Sequence, residues 1–122
     1  MISSLVKSAD WKAEKHVPAI AAPQSAKAGE AFEVEVAVGR EIPHPNTLEH
    51  HIAWAALFFV AEGSRLPVEL ARAEFRAHGP ESFAEPVFKA LVKLAKPGTL
   101  HAVAYCNIHG LWESELKMAV VA

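Results

Sequence analysis

The alternation of hydrophobic and polar residues predicts β-strands along most of the chain. The clearest alternation lies in 31–39, where Phe32, Val34 and Val36 share one face and the glutamates between them point away. The segment 50–62 is long enough for a helix, but aromatic and branched residues dominate its second half, which favours a central strand. The predicted strands are 17–22, 31–39, 50–62, 67–77, 86–94, 100–105 and 112–121.

The segments between these strands carry turn-forming residues. Glycine or proline occurs in the connections at 23–30, 63–64, 78–81 and 96–98, and two prolines bracket His44 in the long loop 40–49. No segment shows a helical pattern. About seven short strands at this spacing are typical of an all-β fold, and we expect a single antiparallel β-sandwich.

Length and composition narrow the class of protein. A chain of 122 residues is expected to form one domain, 1–122, with a core large enough to fold without a metal. The net charge of −2 and the scattered lysines and arginines argue against nucleic-acid binding. One cysteine cannot form an internal disulfide, and no apolar run is long enough for a signal peptide or a membrane span. We therefore expect a soluble, cytoplasmic protein.

Candidate chemistry is concentrated at one strand end. Cys106 follows the apolar run 100–105, and His109 comes three residues later, so a thiolate and an imidazole are available at one turn. This pair is a plausible half of a metal site. The remaining ligands would come from other histidines near turns and strand ends, and the candidates are His16, His44, His50, His51 and His101.

Each of these residues also has a purely structural interpretation. A lone cysteine after an apolar run is more often a small buried hydrophobic residue. Successive side chains of an extended segment face opposite sides, so at most one of His50 and His51 is expected to be a ligand. His101 has the opposite parity to Cys106 and is interpreted as structural, while His78 in a Gly-Pro turn is interpreted as a turn histidine.

Taken together, the histidines and the thiol favour a nitrogen-rich site with one sulfur ligand. More than three histidines plus a cysteine exceed the tetrahedral preference of zinc, which favours iron or a cupredoxin-like copper centre. Copper centres of that kind usually have a methionine soon after the cysteine. Residues 110–115 contain none and Met118 comes late, so a copper electron carrier is the second hypothesis. A β-sandwich binding module without metal is the third.

Three separated motifs resemble one known family. They are EKHVP at 14–18, HPNTLEHH at 44–51 and CNIHGLWE at 106–113. In this order they resemble the superoxide reductases of the desulfoferrodoxin family, and within it the one-iron neelaredoxins. The resemblance extends over nearly the whole chain, from SADWK at 8–12 to Glu113.

The resemblance implies an immunoglobulin-like β-sandwich that reduces superoxide to hydrogen peroxide at a mononuclear iron, without making dioxygen. It implies that Lys15 guides superoxide and supplies protons, and that Glu14 takes the sixth iron position after oxidation. The four-cysteine N-terminal domain of desulfoferrodoxins is expected to be absent, so a rubredoxin-type donor would supply the electron to a homotetramer. The iron ligands implied by motif match are His16, His44, His50, His109 and Cys106.

Overall fold

The computed structural model describes residues 1–122, which form eight β-strands and one short 3-10 helix. The helix spans Ile2–Ser4, and no helix is long and apolar enough to cross a membrane. The strands are β1 (Pro18–Ala21), β2 (Ser25–Lys27), β3 (Phe32–Val38), β4 (Ile52–Ala61), β5 (Val68–Glu74), β6 (Val87–Val92), β7 (Gly98–Cys106) and β8 (Gly110–Val121). The predicted all-β architecture is confirmed.

The strands form two sheets that pack as a sandwich. The smaller sheet has the order β1-β3-β6, and the larger has the order β2-β8-β7-β4-β5. All neighbouring strands are antiparallel except β2 and β8, which pair in parallel. This arrangement is consistent with an immunoglobulin-like sandwich.

Strand β2 is the main departure from the predicted strand list. It lies inside the segment 23–30, which was expected to be a loop, and it pairs Ser25 with Ala119 and Lys27 with Val121. Only Ala26 of its three residues is buried. A three-residue strand contains too little alternation to be recognised along the sequence, and its pairing with the end of β8 defines it.

The core between the sheets includes Val34 and Val36, whose shared inward face was predicted by alternation. Val34 and Val36 of β3 are fully buried in the same cluster as Leu57 of β4 and Leu100 of β7. Along β7, every second residue from Leu100 faces the core, and the last of these is Cys106. The thiol therefore lies where the hydrophobic core meets the loops at one end of the sandwich.

Candidate metal centre

The turn between β7 and β8 fixes the cysteine and one histidine. Cys106 pairs with Gly110 across the hairpin, and Gly110 has a φ of +79°, a conformation that favours glycine. Within this turn the backbone N–H of His109 donates to the Cys106 Sγ at 3.4 Å. The Nδ1 of His109 lies 3.8 Å from the same sulfur. A short hairpin is therefore sufficient to place a thiol and an imidazole side by side.

His44 reaches the sulfur from the proline-braced loop. Its Nδ1 donates to the Pro45 carbonyl at 2.7 Å, which leaves Nε2 unprotonated and 3.5 Å from the Cys106 Sγ. The loop folds back tightly onto Gly39, which has a φ of +83°. A Cβ at Gly39 would lie 2.6 Å from the His44 backbone nitrogen. The position of His44 thus depends on a glycine five residues earlier, directly after β3.

His16 enters the site from the segment before β1. Its ring stacks on Trp112, with 4.9 Å between ring centroids and 14° between planes. A Glu14 carboxylate oxygen accepts from the backbone N–H and from Nδ1 of His16, both at 2.6 Å. The Nε2 of His16 therefore faces His109, whose Nδ1 is 3.1 Å away. Trp112 also donates its indole N–H to the His109 carbonyl at 3.2 Å, so one side chain supports two candidate ligands.

His50 completes the cluster from the residues just before β4. Its Nε2 lies 3.2 Å from the His109 Nδ1. One donor atom each from His16, His50, Cys106 and His109 lie within 4.8 Å of one another. The His44 ring is 4.6 Å from the His50 ring and 4.8 Å from the His16 ring, measured between centroids. The structure therefore brings all five predicted ligands to one end of the sandwich.

Burial favours the neutral imidazole at His16, His44 and His50. Burial lowers the pKa of His44 to about 4, against a weaker opposing effect of its bond to the Pro45 carbonyl. Burial also lowers the pKa of His16, although Glu14 favours the charged form, and it lowers the pKa of His50 with a contribution from His109. Neutral imidazoles have a lone pair available for a metal.

Two charged residues, Glu14 and Lys15, lie beside the cluster. Burial alone would raise the pKa of Glu14, but its hydrogen bonds to His16 and the nearby charge of Lys15 lower it, so it is a carboxylate. It contacts the His16 nitrogen that faces away from the other ligands. Lys15 is partly exposed, and its charge contributes to the lowered pKa values of His16, His44 and His50.

The remaining histidines lie outside the cluster. His51 stacks on His78, with 3.5 Å between centroids, and its Nδ1 donates to the Thr47 carbonyl at 2.9 Å. His101 lies on the half-buried outer side of β7, in register with Glu115 of β8. These positions agree with the alternation arguments, which allowed one ligand from the His50–His51 pair and interpreted His101 as structural.

Gly39 and Trp112 were not predicted to support the ligands. A glycine that ends an alternating strand is a weak signal for a close backbone approach. Trp112 belongs to an alternating strand pattern that gives no reason to expect an imidazole against its ring. Both roles depend on segments that are distant in sequence.

The donor set fits a single iron ion. Four ring nitrogens and one sulfur converge, and for His16 and His44 the other ring nitrogen already has an oxygen partner, which fixes the tautomer. Five donors exceed the tetrahedral preference of zinc, and a mixture of imidazole and thiolate suits iron. The cluster of His16, His50, His109 and Cys106 is consistent with a one-iron centre.

Comparisons with known proteins agree with this geometry. Residues 8–115 match the family model described as desulfoferrodoxin. The chain is 48% identical to a superoxide reductase from Pyrococcus horikoshii, over 97% of this chain and 99% of that protein. It is 42% identical to a neelaredoxin from Megalodesulfovibrio gigas, over 95% of each. The structure of the reduced superoxide reductase (neelaredoxin) from Archaeoglobus fulgidus superposes with a TM-score of 0.86 at 48% identity, covering 94% of this chain and 98% of that one.

Proposed function

Because the chain belongs to the desulfoferrodoxin family, we propose that it is a superoxide reductase. The reaction is a one-electron reduction, in which superoxide, one electron and two protons give hydrogen peroxide and no dioxygen. The observation that carries this proposal is the convergence of four imidazoles on the Cys106 thiol at one end of a rigid sandwich. The cupredoxin-like alternative is not supported, since the similar proteins are superoxide reductases and neelaredoxins.

We assign five residues of the single domain 1–122 as the iron ligands. When bound there, the iron supplies one-electron chemistry between its ferrous and ferric states. Neutral imidazoles add no negative charge, so they preserve an electrostatic attraction for an anion. The Cys106 sulfur is the electron-rich ligand, and the N–H that it accepts from His109 tunes its basicity. The ligands are the ring nitrogens of His16, His44, His50 and His109 and the Sγ of Cys106.

Lys15 and Glu14 are the proposed catalytic residues around this centre. The Lys15 ammonium lies close enough to affect three of the ligand histidines, so it also raises the local concentration of an approaching anion. Through water, the same ammonium is a source of protons for the product. Glu14 holds His16 through two hydrogen bonds, and we propose that its carboxylate would provide a sixth ligand once the iron is oxidised.

The electron is proposed to come from a small external donor protein of the rubredoxin type. The chain has one cysteine, which belongs to the proposed metal centre, so it contains no cysteine set for a second iron site. We further propose a cytoplasmic homotetramer. The edge strands of the two sheets, β1, β2, β5 and β6, offer backbone groups for contacts between copies.

Metal analysis combined with superoxide consumption tests the proposal. Iron-loaded protein is expected to contain one iron per chain and to convert superoxide to hydrogen peroxide, with reductant consumed and no dioxygen released. Cys106→Ser is expected to remove the thiolate-to-iron absorption band of the oxidised protein. Release of dioxygen in the ratio expected for dismutation would contradict the reductase reaction. Survival of the band in Cys106→Ser would exclude this cysteine as a ligand.

A further inference from the structure

We propose that Asn107 is a positioning residue that fixes His50 relative to the Cys106–His109 turn. Its side-chain Oδ1 accepts the backbone N–H of His51 at 2.8 Å, and its Nδ2 donates to the carbonyl of Glu49 at 2.9 Å. Its backbone N–H donates to the carbonyl of His51 at 3.2 Å. One residue of the turn therefore binds the chain on both sides of His50.

The chemistry of these contacts requires an amide side chain. The two partners are backbone groups with fixed roles, one donor at His51 and one acceptor at Glu49, which also fixes the orientation of the amide. Aspartate at 107 would keep the bond to the His51 N–H but would place a second acceptor against the Glu49 carbonyl. Alanine would lose both side-chain bonds.

Without Asn107, the segment that carries His50 has mainly local hydrogen bonds. His50 and Thr47 bond each other's backbones at 2.9 and 3.2 Å, and the Thr47 hydroxyl accepts the His50 N–H at 3.1 Å. These bonds make residues 47–50 a compact turn, but they do not attach that turn to the opposite hairpin. Asn107 supplies the attachment, and it lies in the same turn as two other ligands.

The consequence for the metal centre follows from this attachment. The His50 Nε2 lies 3.2 Å from the His109 Nδ1, so a small displacement of the 47–50 turn would separate the two nitrogens. Residues that orient ligands through hydrogen bonds typically affect metal affinity about 10- to 100-fold. Because Asn107 is exposed and its bonds compete with water, we expect a loss of about tenfold, at the lower end of that range.

The test measures Co²⁺ affinity by chelator competition, with the thiolate-to-cobalt absorption as the signal. Asn107→Ala is expected to bind Co²⁺ about tenfold more weakly than the unmodified protein, with Asn107→Asp between the two. Leu48→Ala is the matched control, because Leu48 is 75% exposed in the same turn and makes no side-chain hydrogen bond. Unchanged affinity in Asn107→Ala, or an equal loss in Leu48→Ala, would overturn the inference.

A double-mutant cycle with His50→Ala separates an effect through His50 from general loosening. If Asn107 acts through His50, Asn107→Ala should cause little further loss of Co²⁺ affinity once His50 is alanine. The same tenfold loss in both backgrounds would refute the proposed role. Thermal unfolding of the metal-free variants checks that each one folds, and Asn107→Asp carries the test if Asn107→Ala does not fold.

This inference rests on the proposed metal centre, and the two can fail separately. If the unmodified protein bound Co²⁺ without thiolate absorption, the assignment of the centre itself would be wrong. If it bound Co²⁺ with thiolate absorption and Asn107→Ala matched it, only the role of Asn107 would be wrong.

Discussion

Replacing Gly39 with alanine tests whether the loop that carries His44 is held by a close backbone approach. Gly39 has a φ of +83°, and an added Cβ would lie 2.6 Å from the His44 backbone nitrogen. It would also lie 3.3 Å from the Ile42 carbonyl oxygen and from the Pro43 Cα. All three neighbours are backbone atoms, so the contact cannot be relieved by rotating a side chain.

The expected loss of stability in Gly39→Ala has two parts. An L-residue in the left-handed conformation costs about 1–2 kcal/mol. Forcing an extra carbon into a filled space typically costs about 1–3 kcal/mol more. Gly39→Ala is therefore expected to lower the free energy of unfolding by about 2–5 kcal/mol. Because the backbone at His44 must shift, we also expect metal affinity to fall by about tenfold or more.

Gly63 provides the matched control. Its φ is +81°, but an added Cβ there would have no atom within 4 Å. Gly63→Ala should therefore show only the conformational cost of about 1–2 kcal/mol and should leave metal affinity unchanged. Urea unfolding of the metal-free proteins and Co²⁺ titration of both variants measure the two effects. If Gly39→Ala were no more destabilised than Gly63→Ala and bound metal normally, the close approach would not position His44.

Three further predictions concern charge and protonation. Lys15→Ala should slow the reaction with superoxide by up to about tenfold at low salt and weaken the dependence of the rate on ionic strength. Pulse radiolysis measures both effects. An unchanged rate at low salt would exclude electrostatic steering of superoxide by Lys15. Glu14→Ala should preserve most of that rate but change the absorption spectrum of the oxidised iron protein, and an identical spectrum would rule out Glu14 as the sixth ligand. The metal-free protein should lose stability as pH falls from about 6.5 towards 4, because the unfolded chain takes up protons at the ordinary histidine pKa while buried His44 resists protonation down to about 4. This difference in pKa corresponds to about 3 kcal/mol of unfolding free energy for His44. Urea unfolding at pH 7 and at pH 4.5 measures most of this loss. Equal stability at the two pH values would contradict a neutral, buried His44.

The sequence by itself determined seven of the eight strands and the inward face of β3. Alternation is a local property, because successive side chains of a strand point to opposite sides, and it placed Val34 and Val36 in the core. The same parity argument separated Cys106 from His101 and allowed only one ligand from the His50–His51 pair. The candidate ligands could also be identified from the sequence, because they lie at turns next to strand ends and within recognisable motifs.

Only the tertiary structure decided how those residues meet and what holds them. Strand β2 exists because it pairs with the far end of β8, which no local pattern records. The stacking of Trp112 on His16 and the bonds from Asn107 to the chain around His50 join segments that are more than fifty residues apart. Such contacts depend on sheet register and loop path, which set the distances between segments. The sequence therefore identified the candidate ligands of the centre, and the sandwich determined their arrangement.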